Sequence, residues 1–282
     1  MKNKELFSEN KIKKSTIKYF IISFSVFIVI LAVCSVVLFM HSLDYDISNL
    51  VDSSSTTTTA PVDENVSNVH SVNDLTGKSD LLFIVENIDG VDFICTVSTD
   101  FDNKSMQVLC VDGSENLSYE GKILKISSIY IEDNVPGVKK MIVDNYGITI
   151  DKYVIFDSDG LKEMLSMFDG FSVNVIENVN YKSNDFNLAL SSGIQELSSD
   201  MTYKYLQISE NKIRESIICD IIKSVLVADY VEDSEKLFTS FVNLCETDIS
   251  VIDYSETVDR LSAYCYANDK FYPKVYNKGD KS

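Results

Sequence analysis

Residues 143–175 read VDNYGITIDKYVIFDSDGLKEMLSMFDGFSVNV, and the order of patterns inside this stretch decides the fold. The segment VKKMIVDNYG (138–147) is a helical patch that stops at Gly147, a residue free to adopt the left-handed backbone that ends many helices. KYVIF (152–156) is a short β-branched and aromatic run, the composition of a strand. DSDGLKEMLSMFDG (157–170) then reads as a capped helix with Leu161, Met164, Leu165 and Phe168 on one face. FSVNVI (171–176) returns as a strand. Strands interleaved with helices bury both faces of a sheet.

The pattern extends in both directions. LLFIVE (81–86), DFICTVST (92–99) and MQVLCV (106–111) are strand-like, and the turn DFDNK joins the last two into a hairpin. NKIRESIICDIIKSVLVA (211–228) is a long amphipathic helix, and SEKLFTSFVNLCE (234–246) is another. The expected class is mixed α/β over residues 77–282, a central mixed sheet with helices on both faces. One edge needs a decision. After Val111 the chain turns polar at Asp112-Gly113-Ser114, and the end of that strand is either a catalytic edge or only a turn.

Ahead of this domain, YFIISFSVFIVILAVCSVVLFM (19–40) has 22 positions without a charge, proline or glycine. That is about 33 Å of helix, enough to span a bilayer. Lysines 2, 4, 11, 13, 14 and 18 precede it and Asp44 follows it, so the positive-inside rule puts the basic tail (1–18) in the cytoplasm and the bulk of the chain outside. The run is too long for a cleaved signal peptide. Residues 41–76, with SSSTTTTAP and DENVSNVHSVND, lack hydrophobic periodicity and read as a tether reaching roughly 30 Å. The formal charge is −18, and the N-terminal 18 residues are net +4, which leaves −22 on the remainder. Such a balance repels nucleic acid.

The outer cysteines, Cys95, Cys110, Cys219, Cys245 and Cys265, are odd in number and show no metal-ligand spacing, and they read as buried single thiols. The only histidines, His41 and His70, lie in the tether. Ser/His and Cys/His nucleophilic mechanisms are therefore excluded from the folded domain. Chemistry there has to use carboxylates, a metal, lysine or arginine.

The wording of several segments resembles the LytR-CpsA-Psr family. Besides 143–175, KISSIY (125–130) is similar to the family's KIN.AY, and LALSSGIQELSSDMTYKYLQ (188–207) follows its L..G.Q.L.G..AL.Y.R. The resemblance covers residues 81 to about 260. It implies an anchored envelope protein of Gram-positive bacteria that moves glycopolymers from a polyprenyl-pyrophosphate carrier onto peptidoglycan. It also implies arginines gripping the pyrophosphate and aspartates holding Mg2+, since a leaving pyrophosphate gathers negative charge that such groups stabilise.

Carried over residue by residue, the resemblance places the first family aspartate on Asp92, with a catalytic and a metal-binding role. The Arg-Asp pair that closes the third strand falls on Gly113 and Ser114, so both charges are missing, and Asp112 is the off-register metal candidate. No arginine lies between residues 81 and 213. The arginine ending the AL.Y.R motif is replaced by Gln207, and the paired arginines of the next helix fall on Asn211 and Arg214, with Lys212 one position away. Lys125 is retained, and Asn87 and Asp89 stand where an aspartate and an arginine are expected. The implied set is Asp92 and Arg214 as catalytic residues, Lys125, Lys212 and Gln207 as substrate-binding residues, and Asp92 with Asp112 for Mg2+.

Each residue also has an ordinary explanation, as a capped strand, a solvated lysine or an arginine paired along its helix. Two readings stay open. One is an active phosphotransferase; the other is a degenerate relative that keeps the fold and a groove for a polyprenyl tail and serves as a binding, scaffold or regulatory protein.

Overall fold

The computed structural model describes residues 75–88, 90–231 and 233–277. The expected basic tail and membrane span, and the tether up to residue 74, lie outside the described residues. Among the described residues no helix is long and apolar enough to cross a membrane.

The core is one six-stranded mixed sheet. β1 (Lys78–Asn87), β2 (Gly90–Asp100) and β3 (Ser105–Asp112) form an antiparallel meander. β6 (Lys152–Phe156) adds parallel to β1, and β12 (Pro273–Val275) adds parallel to β3. The two-residue β11 (Glu246–Thr247) closes the other edge, giving the order β11-β6-β1-β2-β3-β12. Three two-stranded antiparallel pairs lie outside it: β4 (Asn116–Tyr119) with β5 (Lys122–Lys125), β7 (Phe171–Val175) with β10 (Gly193–Leu197), and β8 (Val179–Lys182) with β9 (Asn187–Leu190).

Alternation along the strands divides the core. Leu82, Ile84, Ile94, Leu109 and Val111 face α1 (Ile126–Tyr146) and meet its Ile126, Ile129, Val138, Met141 and Ile142. Each such side chain contributes about 1.5–3 kcal/mol on burial. The opposite face carries Val85, Phe93, Cys95, Val108 and Cys110. It is covered by α2 (Ser158–Ser166), α3 (Ser199–Ile208), α4 (Asn211–Val225), α6 (Ser234–Val242) and α7 (Val251–Tyr266), with the single turn α5 (Ala228–Val231) between α4 and α6. Helices do cover both faces of the sheet.

Several boundaries follow from local chemistry. Gly147 ends α1 with φ 73°, and its N–H reaches the Val143 carbonyl. Asp157 caps α2 by accepting from the Gly160 N–H at 2.7 Å. α1 begins at Ile126, well before the helical patch at 138. Asn134 (φ 56°, ψ −151°) divides it into two helical segments across a kink, with Pro136 just beyond. Helix α7 and strand β12 have no counterpart in the sequence reading.

Candidate functional site

The site forms where β2 begins and β3 ends. The β1–β2 register slips between Val85 and Glu86, pairing Val85 with Phe93 and Glu86 with Val91, which leaves Asp92 as the extra residue of a bulge. Bulges re-aim side chains, and Asp92 lands within electrostatic reach of Arg214 and Asp112 while hydrogen-bonding Asn87. Burial pushes the Asp92 carboxyl above its usual range and the Asp112 charge pushes the same way; Arg214 and Asn87 oppose them.

Arg214, on α4, is 2% exposed. Its Nε donates to the Leu206 carbonyl at 3.1 Å and one terminal nitrogen donates to Asn211 Oδ1 at 3.3 Å. The same nitrogen lies 3.9 Å from Asp112 Oδ2. The guanidinium sits 4.3 Å from the centre of the Phe93 ring, a cation–π contact made in a desolvated setting. Asn211 in turn donates to Glu115 at 2.9 Å, which ties the start of α4 to the loop after β3.

That loop is a turn. Asp112 Oδ1 accepts from both the backbone N–H of Ser114 (2.9 Å) and its hydroxyl (2.6 Å), an Asx turn. Gly113 donates to the Asp92 carbonyl at 2.7 Å. A Cβ on Gly113 would fall 1.9 Å from the Val91 carbonyl oxygen. Ser127 fastens the same place, its hydroxyl lying 2.9 Å from both the Val91 and Gly113 carbonyls. No arginine enters position 113 unless the β2 backbone moves. The missing family arginine is therefore a property of the packing as well as of the sequence.

The other candidates are placed differently. Lys125 is exposed at the N-cap of α1 and makes no side-chain capping bond, while its backbone pairs with Asn116. Gln207 donates to the Tyr203 hydroxyl at 2.8 Å, and Tyr203 is raised chiefly by burial and further by the charge of Asp92. Gln207 is thus one side chain removed from the cluster. Lys212 is bonded to Glu215 at 2.8 Å and to the Tyr276 carbonyl at 2.9 Å. Glu215 is 1% exposed and accepts the Cys110 N–H at 3.1 Å, so Lys212 neutralises a buried carboxylate that ties α4 to β3. Burial raises Glu215 against those two bonds. Asp89 lies outside the described residues.

Beside this cluster an apolar cavity of about 490 Å3 opens between the sheet and α2, α4 and α7. Phe93, Phe156, Leu165, Ile218, Ile222 and Leu261 are among its walls. A second recess of about 280 Å3 shares Met164, Phe168, Val225 and Phe241 with it. Phe93 belongs to both regions: its ring carries Arg214 and also lines the cavity. The sequence reading missed Phe93, Tyr203 and Ser127, because an aromatic residue beginning a strand looks like ordinary core.

Among the described residues, no group of three or more histidine, cysteine or carboxylate side chains is arranged to hold a metal ion. Mg2+ commonly takes one or two carboxylates and completes its octahedron with water and phosphate oxygens. Asp92 and Asp112 match that smaller donor set in kind, with Asp112 Oδ2 left over from the Ser114 turn.

The family model described as the LytR_cpsA_psr family matches residues 81–257. No curated protein matches the sequence. Among solved structures, a protein from Eubacterium siraeum described as a transcription regulator superposes with a TM-score of 0.62 at 16% identity, covering 81% of this chain and 93% of that one. TagV of B. subtilis gives 0.59 at 19% identity, covering 72% and 85%. TagT bound to LI-WTA gives 0.53 at 11% identity, covering 77% and 86%. At these identities the structural likeness establishes the fold, and the family model, which spans more than half of the sequence, establishes the lineage. The chain belongs to the LytR_cpsA_psr family.

Proposed function

We propose that this protein binds a polyprenyl-linked glycopolymer precursor of the cell envelope, with the prenyl tail in the apolar cavity and the phosphates against Arg214, Asp92 and Asp112. The observation that carries this reading is Phe93, one ring that both lines the apolar cavity and carries the arginine. A ligand with an isoprenoid tail and an anionic head has that same division. The solved relative TagT bound to LI-WTA supports the substrate class. In this reading residues 19–40 anchor the chain, the basic tail stays in the cytoplasm and the domain works outside, where peptidoglycan would be the acceptor.

The phosphate grip is weak for the family. Arg214 already donates to Leu206 and Asn211, and position 113 is closed to a second arginine. Binding is thus carried mainly by the tail, and transfer is slow or absent. A transferase reading is favoured by one observation, the joint placement of Asp92, Asp112 and Arg214. When bound by Asp92 and Asp112, Mg2+ would supply charge neutralisation to the pyrophosphate as its P–O–P bond breaks and polyprenyl phosphate departs. Arg214 would orient that group, and the attacking oxygen would be an acceptor sugar hydroxyl.

The test compares affinities of a polyprenyl alcohol and the matching pyrophosphate, with and without Mg2+, for the full chain and for Arg214→Gln. The expected result is tight binding of both, with the pyrophosphate favoured by no more than about tenfold. Failure of both ligands to bind would overturn the proposal. A Mg2+-dependent preference of several hundredfold, together with released polyprenyl phosphate, would move the protein to the transferase reading.

A further inference from the structure

Cys95 on β2 stands directly opposite Cys110 on β3. Both are 2% exposed, and Cys219 of α4 packs against them in one apolar cluster. All three are free thiols, and Cys95 also borders the apolar cavity.

The ladder geometry sets how close the pair lies. The Val108 carbonyl accepts from Tyr276 N–H on the β12 side, and the Cys110 N–H donates to Glu215. Backbone groups two residues apart on a strand point the same way, so Cys110 turns its hydrogen-bonding edge away from β2. Cys95 and Cys110 therefore form a non-hydrogen-bonded antiparallel pair, the kind in which Cα atoms approach to about 4.5 Å and side chains are closest. A disulfide bridges Cα separations of about 4.4–6.8 Å. The two side chains lie in the same apolar cluster, and the Cys95 thiol donates only a long bond to the Thr96 carbonyl at 3.8 Å.

We propose that Cys95 and Cys110 form a disulfide, a covalent modification site closed by exchange with a small-molecule disulfide. One cysteine thiolate attacks that disulfide, forming a mixed disulfide and releasing one thiolate. The second cysteine attacks the mixed disulfide at the first cysteine's sulfur, forming the Cys95–Cys110 bond and expelling the second thiolate. Two protein thiols are oxidised, one small disulfide is reduced, and the two protons end on the released thiols. Burial holds the Cys110 thiol far up and pushes Cys219 up to about 12, so the exchange belongs to the stage before α4 covers the hairpin. Cys219, on a different element, stays reduced. The bridge ties together the two strands that carry Phe93 and Asp112.

The experiment folds the full chain in a mixed reduced and oxidised glutathione buffer, then denatures it, alkylates it and measures its mass. Of six cysteines, four are expected to be alkylated, all six after dithiothreitol, with a peptide linking residues 95 and 110. Six alkylated thiols in both samples, or glutathione or a cross-link placed on another cysteine, would overturn the assignment. The bridged form should melt roughly 5–10 °C above the reduced one. A bridged form melting below the reduced one would show a distorted ladder and equally reject the pair.

Discussion

The two faces of the central sheet are covered in different ways. On one, the kinked helix α1 lies over Leu82, Ile84 and Ile94, and these three side chains together with Ile126, Ile129, Val138, Met141 and Ile142 are fully buried. On the other, several shorter helices meet over Phe93, Cys95 and Phe156 and leave about 490 Å3 unfilled. Protein interiors pack as densely as organic crystals, so unfilled apolar volume of this size costs dispersion contacts that the first face keeps. The contrast separates a face that is filled from a face that keeps an open cavity.

The largest expected effect tests that contrast. Met141→Ala on the sealed face should cost about 2–5 kcal/mol in denaturant unfolding. Ile222→Ala, whose side chain borders the cavity, should cost clearly less, about 1–2 kcal/mol, because part of its surface already lacks partners. Equal losses would mean that the cavity face is as tightly filled as the other. Next, Gly113→Ala should destabilise by about 1–3 kcal/mol, since its methyl meets the Val91 carbonyl. Gly121→Ala has open space around it but a positive φ, and should cost about 1 kcal/mol. If the two glycines prove equally tolerant, position 113 is open and an arginine could be restored there.

A third change works on the cavity face alone. Leu261→Trp should leave unfolding within about 1 kcal/mol and weaken polyprenyl alcohol binding at least tenfold, read by titration. Unchanged affinity would remove the cavity from the ligand's path. The smallest effect concerns charge. Because burial raises the folded-state pKa of Asp92, its ionised form opposes folding; the penalty is absent below the unfolded value near 3.8 and grows as pH rises through the folded value. Asp92→Asn should therefore gain stability relative to wild type as pH goes from 4 to 7. Asp100, at the far end of the same strand, has the opposite sign. Hydrogen bonds from Lys78 and Asn103 hold it down to about 2, so its contribution is present above 3.8 and fades as pH falls toward 2. A stability profile of Asp100→Asn parallel to that of wild type below pH 4 would contradict this.

The sheet meander and the stretch 143–175 were legible because their signals are local. Strand β6 begins and ends where KYVIF does, and Gly147 terminates its helix as its backbone freedom suggests. Helix α1 was half legible, since Pro136 and the kink at Asn134 interrupt its pattern. Strand β12 was invisible: PKV has no strand signature, and it exists because β3 offers it a free edge. The β4–β5 and β8–β9 hairpins are short and polar, and α7 mixes its few apolar residues with charges.

The sequence by itself determined the family and the order of the main elements, because these depend on residue types at fixed spacing, and through the resemblance it named Asp92, Asp112 and Arg214 as candidates. It also determined the loss of charge at Gly113 and Ser114. Only the tertiary structure decided what those residues are free to do. Arg214 is stacked on Phe93 and bonded to Leu206, Lys212 is committed to a buried Glu215, and Gly113 is pressed against Val91. Each of these is a contact between strands or helices far apart in the chain, set by distance and burial that no local pattern encodes.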